Sequence, residues 1–222
     1  LRLPSGEVTP ATPRQLKELG LTPVELKPKE GLALVNGTSF SLSITAFALD
    51  TAERIVADRL LPLSATLLLL FQDSLQHLSH LVYERKAHPD AIETAAELRG
   101  WLDLDAPEDS HGVPQPPYSS RSLALWLGAA RGHLRQAREA VEIEMNSVDD
   151  NPLIIPEEER ILHTANFQGV YAAKAADDVT LGLVKSANLA ERQLNRLFHE
   201  KLNGDLPPFL APEPVGLHSG LQ

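Results

Sequence analysis

The chain of 222 residues contains no cysteine, which excludes disulfides and thiolate metal sites outright. Aromatic residues contribute only 5%, while Leu and Ala are abundant, a bias toward helix over strand. Basic residues are in deficit: 20 Lys and Arg face 30 Asp and Glu, a formal net charge of −10. That balance lacks the basic face of a general nucleic-acid binder, so no nucleic-acid partner is expected. Long hydrophobic runs are missing too. The longest, Leu60 to Phe71, is too short to span a bilayer and is broken by Pro62 and Ser64, so no membrane partner is expected. With no secretory signal pattern and no cysteine, the expected location is cytoplasmic. Glycine-rich phosphate loops, a nucleophile elbow and any His-x-x-x-His pair are absent, and no metal site is expected. The chain also starts at Leu1 rather than a methionine, from which we expect a fragment or processed product of a longer protein.

What is present is globular: 43% hydrophobic and 23% charged residues. Thr12-Pro13-Arg14-Gln15 has the form of a capping box and predicts a short helix ending at Gly20. Pro23 and Pro28 predict an extended segment over 21–30. Apolar residues Ile44, Phe47, Ala48, Ala52, Ile55 and Val56 recur at helical spacing until Pro62, which should stop that helix. A second helix is predicted from Leu63 to about Arg85, with a wide stripe of Leu67, Leu68, Phe71, Leu75, Leu78 and Val82. Pro89 should open a third helix ending near Trp101. The acidic, Pro-rich stretch 103–117 reads as an exposed loop, followed by a long helix from Ser119 to about Met145. A small hairpin is predicted near 152–164, and another long helix from Val170 to Leu202, ended by Asn203-Gly204. The fold class is therefore all-α: a long-helix bundle with at most that hairpin, read as one helical domain over 1–222. A stripe as broad as Leu63 to Val82 exceeds what few helices can bury, so a homo-oligomer is expected.

Three clusters carry polar residues that a helix pattern does not require. In KEGLALVNGT (Lys29 to Thr38), Asn36-Gly37 breaks an apolar run and Thr38 or Ser39 can cap the next helix. Asn36-Gly37-Thr38 also has the form of a glycosylation acceptor, discounted without a secretion signal. In QPPYSSR, Gln115, Tyr118 and Arg121 lie at i, i+3 and i+6 and share one side if helical. An arginine there can hold a carboxylate through a bidentate pair, and a tyrosine can exchange a proton; a solvated first turn is the plainer reading. The third is EMNSVDDNPLI (Glu144 to Ile154) with NFQG (Asn166 to Gly169). Its adjacent Asp149 and Asp150 fit a general base or a metal ligand, but turn chemistry alone accounts for them. His77 and His80, three apart, read as a helix surface.

Taken together and in this order, these clusters resemble segments of the histidine, phenylalanine and tyrosine ammonia-lyase family. QPPYSSR resembles its Gln-x-x-Tyr-x-x-Arg motif, and EMNSVDDNPLI with NFQG resembles its Asn-Ser-Val-x-Asp-Asn-Pro-Leu and Gly-Gly-Asn-Phe segments. LPPFL (Leu206 to Leu210) and GLHSG (Gly216 to Gly220) resemble later ones, so the likeness spans nearly the whole chain. Departures are SLALWLGA after Arg121, where a Pro-Gln is usual, Thr164-Ala165 in place of a glycine pair, and His218 in place of an asparagine.

The resemblance implies non-oxidative deamination of histidine, phenylalanine or tyrosine to ammonia and an α,β-unsaturated acid. It implies a methylidene-imidazolone electrophile, cyclised from an Ala-Ser-Gly that is not among these residues; Pro4-Ser5-Gly6 lacks the alanine and stands too close to Lys29. The tripeptide and a tyrosine-bearing lid are expected upstream of Leu1, a glutamate-bearing segment beyond Gln222, and the 222 residues alone are expected to be inactive. By the same resemblance Arg121 binds the substrate carboxylate, and Tyr118, Asn36 and Gln115 act catalytically around the amine and the electrophile's oxygen. Phe167 and Asn166 line the substrate site, Phe167 excluding water. The oligomer becomes a homotetramer with a central helical bundle. An aminomutase on the same scaffold and a non-catalytic helical interaction protein are the competing readings. Phe167-Gln168-Gly169 and Trp126-Leu127-Gly128 lean toward phenylalanine-type members, and LPPFL with Glu191-Arg192 toward histidine-type ones.

Overall fold

The computed structural model describes residues 2, 5–103, 115–204, 206–212 and 219–221. Pro4, most of the 103–117 loop and His218 lie outside the described residues. The chain forms two compact units, one of residues 1–37 with 150–167, the other of 38–149 with 168–222.

The smaller unit holds α1 (Pro13–Glu18) and α2 (Glu30–Val35). In α1 the Thr12 hydroxyl accepts from the Gln15 N–H while the Gln15 side chain accepts from the Thr12 N–H, the reciprocal cap that the sequence predicts. Glu30, expected to end the extended segment 21–30, instead opens α2, and its carboxylate accepts from the Lys27 N–H at 2.6 Å. Strands β1 (Leu153–Ile155) and β2 (Arg160–Leu162) pair antiparallel, with Leu153 opposite Leu162. Their turn passes through Pro156 and a left-handed Glu159.

The larger unit holds α3 (Ser39–Arg54), α4 (Leu61–Leu70), α5 (His80–Lys86), α6 (Pro89–Trp101), α7 (Tyr118–Arg121), α8 (Leu123–Met145) and α9 (Val170–Phe198). Pro62 does not end the first of these helices. Residues Ile55–Leu60 form a π-helical turn that joins α3 to α4 without a break. The widened turn shifts the carbonyl that a proline ring would strike in a regular helix, and the proline has no N–H to leave unpaired. The helix instead ends at Leu70, and Gln72 takes φ of 52°. The expected Leu63–Arg85 helix is thus two helices separated by a 3₁₀ turn at Gln76–Leu78. α9 stops at Phe198, short of Leu202, because Asn203 folds back and donates to the Leu197 carbonyl at 3.0 Å.

The core lies where α3, α6, α8 and α9 meet. Leu49, Leu68, Leu78, Leu98, Leu123 and Leu127 are fully buried, each contributing about 1.5–3 kcal/mol of transfer free energy. In α8 the buried positions 123, 127, 130, 134, 137 and 141 repeat every three or four residues, which is why this segment forms a helix with one inward face. Small residues set the helix spacing. A Cβ on Gly128 would stand 2.7 Å from the Ala91 Cα, so α6 and α8 touch backbone to backbone there. Most of the Leu67–Val82 stripe is covered by this chain's own core: Leu67, Leu68, Phe71, Leu75 and Leu78 are all buried. That stripe therefore does not argue for an oligomer. One uncovered apolar face lies on α3, where Phe40, Ile44 and Phe47 are exposed at i, i+4 and i+7.

Candidate functional site

Within the larger unit, α7 brings together three of the predicted site residues. Pro117 precedes Tyr118, and its carbonyl accepts from the N–H groups of Ser120 and Arg121 at 2.9 Å each. The Arg121 guanidinium donates to the Gln115 Oε1 at 3.2 Å, and its central carbon lies 4.9 Å from the Tyr118 ring centroid. The three-residue helical spacing holds for Tyr118 and Arg121 alone; Gln115 lies before the helix, across Pro116 and Pro117, and joins this polar face through its bond to Arg121. Tyr118 is 73% exposed, so its phenol faces outward rather than into the core. It borders a cleft of 660 Å³ shared with Ser122, Trp126, Asn188 and Arg192. The cleft combines an aromatic wall, amide and hydroxyl groups and an Arg192–Glu191 ion pair, so a carboxylate ligand's counter-charge falls to the neighbouring Arg121 rather than to Arg192.

Asn36, Asn166 and Phe167 belong to the smaller unit. Asn36 follows the last turn of α2, where its N–H donates to the Leu32 carbonyl at 2.8 Å and its side chain is exposed. The Asn166 N–H donates to the Thr164 hydroxyl at 3.4 Å. Phe167 is half-buried.

Both acids of the Asp149-Asp150 turn are engaged in structure. Asp149 Oδ2 accepts from the Thr38 N–H at 2.7 Å and from its hydroxyl at 3.3 Å. Thr38 therefore does not cap α3 with its own side chain. The cap anion comes from Asp149, where a negative charge suits the helix dipole. Asp150 pairs with Lys29 at 2.7 Å, and Lys29 also donates to the Pro152 carbonyl at 2.6 Å. The Lys29 ammonium, aided by the Asn151 N–H, holds the Asp150 carboxyl below the usual carboxylate range. Thr164, one of the departures from the family's glycine pair, donates its N–H to the Asn151 Oδ1 and its hydroxyl to the Asp150 carbonyl, both at 2.8 Å. The hydroxyl bond is one that a glycine, which keeps only the N–H, cannot make.

His77 departs from its expected place on a helix surface. It sits in the 3₁₀ turn with its Nδ1 3.0 Å from the Ser74 carbonyl, and burial lowers its pKa below the ordinary value. Among the described residues no group of three or more His, Asp or Glu is placed to hold a metal ion.

The order of these segments, their spacing and the helical frame around them agree with one family over almost the full length. The model of the aromatic amino acid lyases matches residues 3–222. The chain belongs to the aromatic amino acid lyase family. A histidine ammonia-lyase of Anaeromyxobacter dehalogenans is 38% identical over 99% of this chain and 42% of its own length. One of Bacillus anthracis is 37% identical over 92% of this chain and 40% of its own. Among solved structures, histidine ammonia-lyase from Trypanosoma cruzi superposes with a TM-score of 0.81 at 30% identity, covering 93% of this chain and 38% of that one. Tyrosine aminomutase from Streptomyces globisporus superposes with a TM-score of 0.82 at 34% identity, covering 93% and 43%. The chain therefore spans less than half the length of these lyase-family relatives.

Sequence reasoning passed over one group of this lyase-family chain, the buried Asp73, Arg196 and Ser120 of the larger unit. Arg196 lies in an ordinary amphipathic run of α9, and nothing in the letters ERQLNRLF marks it as inward-facing. Only its helical phase with Leu189 and Gln193, both buried, carried a signal.

Proposed function

We propose that the protein to which this chain belongs deaminates an aromatic L-amino acid, histidine first, to ammonia and the α,β-unsaturated acid. The observation that carries this reading is the joined face of Gln115, Tyr118 and Arg121, set beside an aromatic-walled cleft in a chain of the aromatic amino acid lyase family. Histidine ranks first because the relatives at 37–38% identity are histidine ammonia-lyases.

The guanidinium of Arg121 offers a planar fork to the substrate carboxylate. Its bond to Gln115 and its place over the Tyr118 ring restrict its rotamers before substrate arrives, which lowers the entropy lost on binding. The Tyr118 phenol is the group that takes or returns a proton at its oxygen. The amides of Gln115 and Asn36 supply neutral N–H donors, Phe167 an apolar cover, and Asn166 a further polar contact to substrate. This donor set of phenol and amides suits the carbonyl oxygen of a methylidene-imidazolone, formed from an Ala-Ser-Gly outside these residues. When bound in place, that group supplies the electrophilic carbon to which the amine or ring adds. We further propose a homotetramer, with the exposed Phe40, Ile44 and Phe47 face of α3 covered by another subunit, and a cytoplasmic location.

The test is direct. The full-length protein is incubated with L-histidine, L-phenylalanine or L-tyrosine, and absorbance of the unsaturated acid is followed. Product from at least one substrate is expected; none from all three overturns the reading. A second reading, an aminomutase that returns ammonia to the β-carbon, is favoured by the likeness to tyrosine aminomutase. Chromatographic detection of a β-amino acid distinguishes it.

A further inference from the structure

The helix that carries Tyr118 and Arg121 is only four residues long and has no side-chain cap. One turn of helix is not self-supporting, so its orientation must come from what it is tied to. Ser120 is the buried residue of α7, and its hydroxyl accepts from Arg196 Nη1 at 2.7 Å. At roughly 100° per residue, Ser120 points about 200° away from Tyr118 and about 100° from Arg121. A tether at Ser120 therefore holds the back of α7 and aims the other two side chains outward.

The tether itself is rigid. Arg196 is anchored in α9, its side chain 9% exposed, against an Asp73 carboxylate that is 0% exposed. Nη1 and Nη2 both reach Asp73, the second at 2.8 Å, and Nε donates to the Leu202 carbonyl at 2.9 Å. The guanidinium also stacks over Phe71 at 3.9 Å. A buried ion pair of this kind is weak support for stability compared with an apolar replacement, but it fixes geometry strongly. Asp73 neutralises Arg196 on α9, and among the described residues Arg121, the cation of α7, has no acid at ion-pair distance.

We propose that Arg196, clamped by Asp73, is a positioning residue for Tyr118 and Arg121, and that the Ser120 hydroxyl is the contact through which it acts. The proposal rests on the functional reading above, and its test keeps the two separable. In the full-length protein, Ser120→Ala removes the link while leaving the Asp73–Arg196 pair intact. Amide hydrogen exchange at Ser120, Arg121 and Ser122 should speed up while thermal stability stays close to that of the parent. With an active parent, kcat/KM should fall roughly tenfold to a hundredfold, the cost of a misaimed group. Ser120→Thr, which keeps the hydroxyl, should restore much of it. The Ser120→Ala, Arg121→Lys double variant should lose less than the product of the two single losses, because one effect acts through the other. An inactive parent sinks the functional reading alone, and exchange still reports on the tether. Unchanged exchange in Ser120→Ala, or unchanged kcat/KM in an active enzyme, overturns the proposal.

Discussion

Arg121 lies with its guanidinium carbon 4.9 Å from the centre of the Tyr118 ring, three residues away on the same short helix, while donating to Gln115. The cation is thereby held at a face where a phenol, an amide and a guanidinium converge. Arg121→Lys in the full-length protein keeps the charge and loses the fork, so substrate binding should weaken by roughly 1–3 kcal/mol. Arg121→Ala should lose more, since the carboxylate then has no counter-charge. Steady-state kinetics decide: an unchanged kcat/KM in Arg121→Ala removes the residue from the site.

The close approach of α6 and α8 makes Gly128 intolerant of any side chain. A Cβ there meets Ala91 Cα at 2.7 Å and Ala91 N at 2.8 Å, both backbone atoms that cannot yield without moving a helix. Gly128→Ala should destabilise by about 1–3 kcal/mol or more. At Gly132 the nearest atom is the Asp90 Oδ2 at 2.8 Å, the end of a side chain that can rotate. Gly132→Ala should cost less. Thermal denaturation of the two variants would refute this if Gly132→Ala proved the more damaging.

Leu98 is fully buried between α6 and the rest of the core. Leu98→Ala leaves a cavity and should cost about 2–5 kcal/mol in chemical denaturation. A loss below 1 kcal/mol, on the same rough scale, would mean that the neighbours collapse into the space.

Asp150 titrates below the usual carboxylate range because Lys29 stabilises its charged form. Its folded pKa is depressed, so its contribution is present above the unfolded value of roughly 3.9 and is lost as pH falls through the folded one. Lys29→Met should raise the Asp150 pKa toward the ordinary value, read by carboxyl NMR titration. An unmoved pKa would show that the Asn151 N–H, not Lys29, holds the charge.

The face of Phe40, Ile44 and Phe47 should be covered by another copy of the protein, Phe40 being 81% and Phe47 77% exposed. Sedimentation of the full-length protein should show an oligomer, and Phe40→Asp with Phe47→Asp should dissociate it. A monomeric parent at micromolar concentration would contradict the proposal.

Composition and periodicity were enough for the all-α class, for the capping box at Thr12, for α6 starting at Pro89 and for the hairpin expected near 152–164, because each depends on neighbours within a few residues. The pairing of Tyr118 with Arg121 was legible for the same reason, since one helical turn sets their relation, whereas Gln115 lies before the helix and reaches Arg121 only through its side chain. Pro62 misled, since whether a proline stops a helix depends on the turn before it, and a π turn is not written in single-residue preferences. The stripe from Leu67 to Leu78 was read correctly as apolar, but what covers it depends on packing within this chain. The pairs Lys29 with Asp150, Thr38 with Asp149 and Arg196 with Asp73 join residues more than a hundred positions apart. Local pattern carries no information about such partners. Only the tertiary fold brings those groups within hydrogen-bond distance, and so only the fold decides which acids serve structure.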